Sequence, residues 1–501
     1  MWWLDKIAIS PAAAALAAVA YECFLFGFNL LAKTWKEIEP EVIRALSTSI
    51  REGALNLMSR FRRDYLQQIV WDHRTFNVRG LRTQGAYTID LAQVFVELRI
   101  APSHLQQASA DPLAGRELPD AGMIWDFLRP IQLKGATALS IIGPPGSGKT
   151  TLLQHVALTF ATNRQRRFKL PALVPIILFL RDHVDSLSQE APPPLASLAD
   201  ALARRACGQT PPSGWFEKML RSGRAIVLLD GLDEVAKADQ RVRVSQWVER
   251  QISLYPRCPF VLTARPEGYR SAPLQRTHVL EVLPFGPEQV RKFIHNWYLA
   301  TEVVKHGGKL DGGVRQASEQ RAQDLILKLR GHHSFSGLTR NPLLLTMIAM
   351  VHNYRGALPG RRVELYAEIC DVLLGHWQKA KGVEAPLTAA QIRVALQPLA
   401  AQMMVGKTRE IRTNEALNTL LPALEKVGVS GDAAQVFLQD VQARSGLILE
   451  REQGLWAFAH LTFQEYLAAT HFHEKGWPLD LPSIVDDSWW HECLRLYAAQ
   501  A

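Results

Sequence analysis

The stretch GPPGSGKTT, from Gly143 to Thr151, combines the residue types that hold a phosphate chain. Gly143, Gly146 and Gly148 let the backbone fold around an anion with its N–H groups turned inward, and Pro144, Pro145 and Ser147 complete the loop. A helix opening at Lys149 adds the positive end of its dipole. Lys149 is placed to reach the β- and γ-phosphates of a nucleotide, and Thr150 to offer a hydroxyl to Mg²⁺, with Thr151 the weaker candidate. Further along, AIVLLDGLDEV sets five apolar residues, Ala225 to Leu229, ahead of Asp230. A carboxylate at the end of such a strand can hold the same Mg²⁺, directly or through water. Asp233 and Glu234 follow within one turn as candidates to orient or deprotonate an attacking water, and Asp233 has the alternative role of a helix N-cap. In PFVLTARP, Pro259 to Pro266, Thr263 and Arg265 close a third apolar run, where a hydroxyl and a guanidinium can sense a γ-phosphate. A surface arginine capping a helix is the alternative for Arg265.

These groups converge only if strands and helices carry them to one edge. The order apolar run, glycine-rich turn, amphipathic run around Gly143 is the strand–loop–helix context of a P-loop, with Leu152, Leu153, Val156 and Ala157 on one helix side. The run ending at Asp230 reads as a strand buried on both faces. Leu173 to Asp182, Pro259 to Pro266 and His278 to Phe285 supply further parallel strands, the Thr263 strand lying beside the P-loop strand. Alternation with helical stretches such as Leu195 to Cys207 and Arg241 to Leu254 predicts an α/β, doubly wound parallel sheet. Mostly helical segments follow it, and the glycine-rich His306 to Gln316 reads as an exposed loop.

Composition excludes disordered and fibrous classes: 48% of the 501 residues are hydrophobic and 21% charged, enough chain for about three or four domains. Five scattered cysteines make no CxxC pair, which argues against a zinc site or a disulfide framework and favours a reducing cytoplasm. The net charge of +9 is concentrated early, at Arg51, Arg60, Arg62, Arg63, Arg74, Arg79 and Arg82. A solvated face or membrane-proximal flank explains that cluster more economically than nucleic-acid binding. Residues 7–32 are nearly uncharged, and from Pro11 a helix would reach roughly 33 Å, enough to cross a membrane. Glu22 in its middle and a weakly hydrophobic alanine-rich half argue for the alternative, a buried helix.

Taken in order, GPPGSGKTT, LLDGLDEV, LTARPEGY, RNPLLLTMIAMVH and FAHLTFQEYLAA resemble the NACHT family of signal-transduction NTPases, as does the upstream segment from Leu66 to Ile100. The resemblance covers the chain from about Leu66 onward and implies a nucleotide-binding domain, a helical domain and a winged helix that close over ADP, then open and oligomerise when a partner is sensed. Its expected layout is a hydrophobic N-terminal helix over 1–40, a helical or linker segment over 41–135, the P-loop domain over 136–285, a helical domain over 286–385, a winged helix over 386–474 and the start of a helical repeat over 475–501. It further implies slow ATP hydrolysis, with GTP as the alternative substrate, and Pro342 near the adenine, where an ordinary first-turn proline is the bland reading. In this family the histidine before the FQEYLAA-type helix contacts the β-phosphate of ADP, which carries over to His460; a satisfied core histidine is the alternative. Rival classes are a transport or AAA-like ATPase and a nucleic-acid-binding ATPase; the lack of an LSGGQ-like signature stands against an ABC ATPase, and the lack of an aromatic-interleaved basic stretch and of a second motor domain stands against a helicase. The trigger and the sensing partner are not legible.

Overall fold

The computed structural model describes residues 60–76, 89–103, 121–134, 138–144, 146–235, 238–331, 335–381, 387–429, 433–445, 447–452, 454–458, 461–477, 480–487 and 489–500. Two compact units divide the chain, Met1–Asp64 and Tyr65–Ala501. Of the first, only the start of helix Arg60–His73 is described. The expected membrane helix over 7–32 lies outside the described residues, and among those residues no helix is long and apolar enough to cross a membrane.

The second unit opens on a six-stranded sheet. Its strands are β1 (Ile100–Pro102), β2 (Ala138–Ile142), β3 (Val174–Phe179), β4 (Ala225–Asp230), β5 (Phe260–Ala264) and β6 (Thr277–Val282), in the spatial order β1-β6-β2-β5-β4-β3. Every pairing is parallel except that of β1 with β6. The doubly wound parallel sheet expected from the sequence is present, and at one edge it gains a three-residue strand, too short to register as an apolar run, that folds back antiparallel. All residues of β2, β4 and β5 are buried, which is why these strands read as unbroken apolar runs rather than alternating ones. Helix Lys149–Ala161 packs over β3, β4 and β5 through its buried Leu152, Leu153, Val156 and Ala157. On the outer edge, Tyr65 donates its hydroxyl to the carbonyl of Pro175 in β3 (2.9 Å) and meets Phe216 edge-on.

Beyond the sheet the chain is almost wholly helical. Helices Pro287–Lys305, Gly312–Gly331 and Pro342–Arg355 pack together, joined inside by a Tyr298 hydroxyl to His352 Nδ1 contact of 2.6 Å. The loop expected over 306–316 ends early, because the Asp311 carboxylate accepts from Val314 N and starts a helix that tolerates two glycines in its first turn. A last group contains helices Arg362–Lys381, Ala389–Val405, Thr413–Lys426 and Leu461–Lys475 with a small sheet of β7 (Ile411–Arg412), β8 (Ile448–Glu452) and β9 (Leu455–Phe458). The β8–β9 pair is the hairpin expected around Gly454, and β7 adds a third antiparallel strand. Helix His491–Ala498 follows, with Trp490 wholly buried against Phe472 and Trp477.

Candidate functional site

The P-loop leaves β2 at Gly143 and enters its helix at Lys149 through two glycines in the left-handed region, Gly146 at φ 73° and Gly148 at φ 90°. A side chain at either would be strained by the backbone alone. Lys149 Nζ donates to the carbonyls of Gly143 (2.7 Å) and Pro144 (2.9 Å) and lies 3.4 Å from Ser147 Oγ. Burial of this amine lowers its pKa to about 8, against the pull of Asp233, while Arg265 pushes it the same way as burial. Pro145 and His460 lie outside the described residues.

The order of strands puts β5 between β2 and β4, so the loop lysine and the acidic strand end face each other across Thr263. Asp230, 1% exposed, is the meeting point: Thr150 Oγ1 lies 2.9 and 3.1 Å from its two carboxylate oxygens, and Thr263 Oγ1 donates to Oδ1 at 2.6 Å. Thr263 also accepts from Gly231 N at 3.0 Å. Donor and acceptor are thereby both engaged, and the expectation that Thr263 senses a phosphate is corrected: its hydroxyl orients Asp230. Two hard oxygen ligands, Thr150 and Asp230, fit a Mg²⁺ that completes its shell with water and phosphate oxygens. Among the described residues no larger cluster of metal-ligating side chains occurs. Thr151, one position on, lines the same cavity.

The next two acids are held by cations. Asp233 Oδ1 accepts from Arg265 N (2.9 Å) and its Oδ2 lies 3.0 Å from Arg265 Nε. It therefore fixes the residue that opens helix Pro266–Ser271 instead of capping a helix of its own. A second guanidinium, that of Arg409, stands 3.9 Å from the same oxygen. Glu234 pairs with Arg181, which follows the end of β3 with Leu180 between them. Gly231, at φ 79°, takes a left-handed backbone conformation that strains any side chain, and a Cβ there would also press on the Glu234 carboxylate, 2.9 Å from Oε2. Gly268 allows a still closer approach, since its Cβ would fall 2.3 Å from that of Asp233 and 2.7 Å from its Cα.

Pro342 occupies the first turn of its helix, as the bland reading has it, and lines the cavity as well. The contact to the P-loop comes from its neighbours. Leu343 N donates to Gly146 O (3.3 Å), and a Cβ on Gly146 would lie 2.8 Å from both Asn341 Oδ1 and Leu343 Cβ. Asn341, 4% exposed, caps this helix through Leu343 N and Leu344 N. The cavity, about 730 Å³, runs from Phe95 and Leu98 past Lys149 and Asp230 to Phe179 and His73. Its volume lies in the range of small-molecule and cofactor sites. Sequence reasoning missed Arg181, Asn341 and Arg409. Arg181 and Asn341 had a local signal, a cation close after a strand and a capping residue before proline; Arg409 had none.

Residues 138–301 match the NACHT domain, and residues 362–472 match the winged helix-turn-helix domain C-terminal to NACHT. No curated protein matches the chain. Among solved structures, Drosophila ORC bound to DNA is similar at 15% identity over 73% of this chain and 93% of that one, with a TM-score of 0.28. Cdc6p from Pyrobaculum aerophilum is similar at 11% over 73% and 99%, TM-score 0.26, and the Aeropyrum pernix ORC1 protein in complex with DNA at 14% over 70% and 92%, TM-score 0.28.

Two outcomes are expected from this geometry. Nucleotide affinity should fall as pH rises through about 8, because the free protein then has to take up a proton at Lys149 to bind; titration calorimetry in buffers of different ionisation enthalpy reads that uptake, and Lys149→Arg should flatten the slope. Gly268→Ala should lower stability by about 1–3 kcal/mol and reduce turnover, because the Asp233 turn must move to admit the methyl group. Unchanged melting temperature and turnover would show that the turn carries no such constraint.

Proposed function

This chain belongs to the NACHT family of P-loop NTPases, and we propose that it works as an ATP/ADP-dependent signalling switch that hydrolyses its nucleotide slowly and self-associates when released. The observation that carries the reading is where its parts meet. The P-loop touches the head of helix Pro342–Arg355, and Arg409, within the region matched to the winged helix, reaches the Asp233–Arg265 pair. A nucleotide in this cavity would be felt by elements from three parts of the chain, which is what a ligand needs to shift a conformational equilibrium.

In this reading Lys149 and the loop N–H groups bind the β- and γ-phosphates, while Thr150 and Asp230 hold Mg²⁺, whose charge offsets that of the phosphates when bound. Glu234, once released from Arg181, accepts the proton of the attacking water. Arg265 supplies positive charge beside the γ-phosphate. His460 donates to the β-phosphate of ADP and favours the closed state; this role rests on the likeness of FAHLTFQEYLAA to the family pattern. ATP is the proposed substrate over GTP, and the trigger is an unidentified partner. A role in bacterial defence against phage would suit a switch of this class.

Lys149→Ala should abolish nucleotide binding, and Glu234→Gln should retain binding while slowing turnover on the order of a hundredfold or more. Light scattering with ADP and with a non-hydrolysable ATP analogue should give a monomer and a larger assembly; a monomer in both states removes the switch. His460→Ala should weaken ADP more than ATP and raise basal self-association, whereas equal loss for both nucleotides reduces His460 to packing.

A further inference from the structure

We propose that the end of the nucleotide-binding sheet opposite the P-loop is a docking surface for an anionic lipid bilayer. Helix Lys149–Ala161 begins at the P-loop and runs back along the sheet, so the turn after it, NRQRRFK, lands where the strands begin. The register aligns Val174 with Ala225, Val227 with Phe260, and both Phe260 and Thr277 with Ala138. Lys169, Arg224, Arg257 and Arg276, each just ahead of its strand, therefore share that edge. The loops touch there: Val174 N donates to Arg224 O (2.8 Å), and a Cβ on Gly223 would lie 2.8 Å from that of Arg257.

The basic turn Arg164–Phe168 is held in place, because Phe168 stacks on Trp125 at 4.2 Å and 7° and Arg129 Nε donates to its carbonyl (3.4 Å). Arg164, Arg166 and Arg167 face solvent, as do the four cations ahead of the strands. Among the described residues no carboxylate pairs with Arg164, Arg166, Lys169, Arg224, Arg257 or Arg276, and the sequence contains no acidic residue between Asp126 and Asp182. Such a concentration of one sign draws a polyanion. Leu254 (47% exposed) and the exposed Pro256 flank the Arg257 turn. Apolar side chains among cations contribute in the headgroup layer of a membrane and gain nothing against a solvated phosphodiester chain, which selects the lipid surface.

The test is co-sedimentation of the full chain with vesicles of neutral phosphatidylcholine and with vesicles containing a third phosphatidylserine. The charge-reversed variant Arg164→Glu/Arg166→Glu/Arg167→Glu/Lys169→Glu is run beside it, and Arg224→Glu/Arg257→Glu/Arg276→Glu serves if the first does not fold. Both variants keep the apolar segment 7–32, and neutral vesicles read any contribution from it. Partition onto anionic vesicles should drop on the order of a hundredfold or more on reversal and should weaken with salt, while nucleotide affinity, set at the opposite end, stays unchanged. Equal partition of variant and wild type, or no preference for anionic over neutral vesicles, overturns the proposal. So does binding of duplex DNA that the same substitutions abolish when anionic vesicles are ignored.

Discussion

The site depends on one buried carboxylate. Asp230 ends a strand with no exposed neighbours, and a charge in such a place is tolerated only where hydrogen bonds replace its lost water. The replacement comes from two hydroxyls on two other elements, Thr150 on the P-loop helix and Thr263 on β5. Three stretches of backbone are thus brought to a common point, and the spacing between the phosphate loop and the acidic strand follows from it. Because β5 lies between β2 and β4, Thr263 sits beside the end of β4, where its hydroxyl bonds both Asp230 and Gly231 N.

Around that point the other acids are balanced by cations from outside the loop. Arg181 on Glu234 links the site to the edge strand β3, and Arg265 with Arg409 on Asp233 links it to the residues matched as a winged helix. A polyphosphate entering the cavity would compete with these carboxylates for the same guanidiniums, since both are anions seeking bidentate donors. Gly268 shows how tightly this is packed, because as alanine it would push a Cβ into the very turn that carries Asp233.

The two ends of the sheet have opposite character. At the carboxyl ends of the strands, acids and cations alternate and neutralise one another; at the other end, cations gather with few acids. Parallel topology produces this separation. Every crossover returns the chain to the same edge before the next strand begins, so single basic residues far apart in sequence, such as Lys169 and Arg276, add up on one face.

Much of this was legible without coordinates. The glycines and Lys149 of the P-loop, the apolar run into Asp230 and the strand ahead of Thr263 are local patterns, because a parallel strand buried on both faces must be largely apolar and a phosphate loop needs glycine where its backbone turns left-handed. What Thr263, Asp233, Arg181, Asn341 and Arg409 touch was not legible, because those contacts join residues far apart in the chain, and a short polar side chain reads the same in sequence whether it faces a phosphate or a carboxylate. The sequence by itself determined the chemistry at the loop and the strands that carry it. Only the tertiary structure decided which acids are paired and that Thr263 serves Asp230, because pairing depends on strand order and packing between elements, which local pattern does not encode.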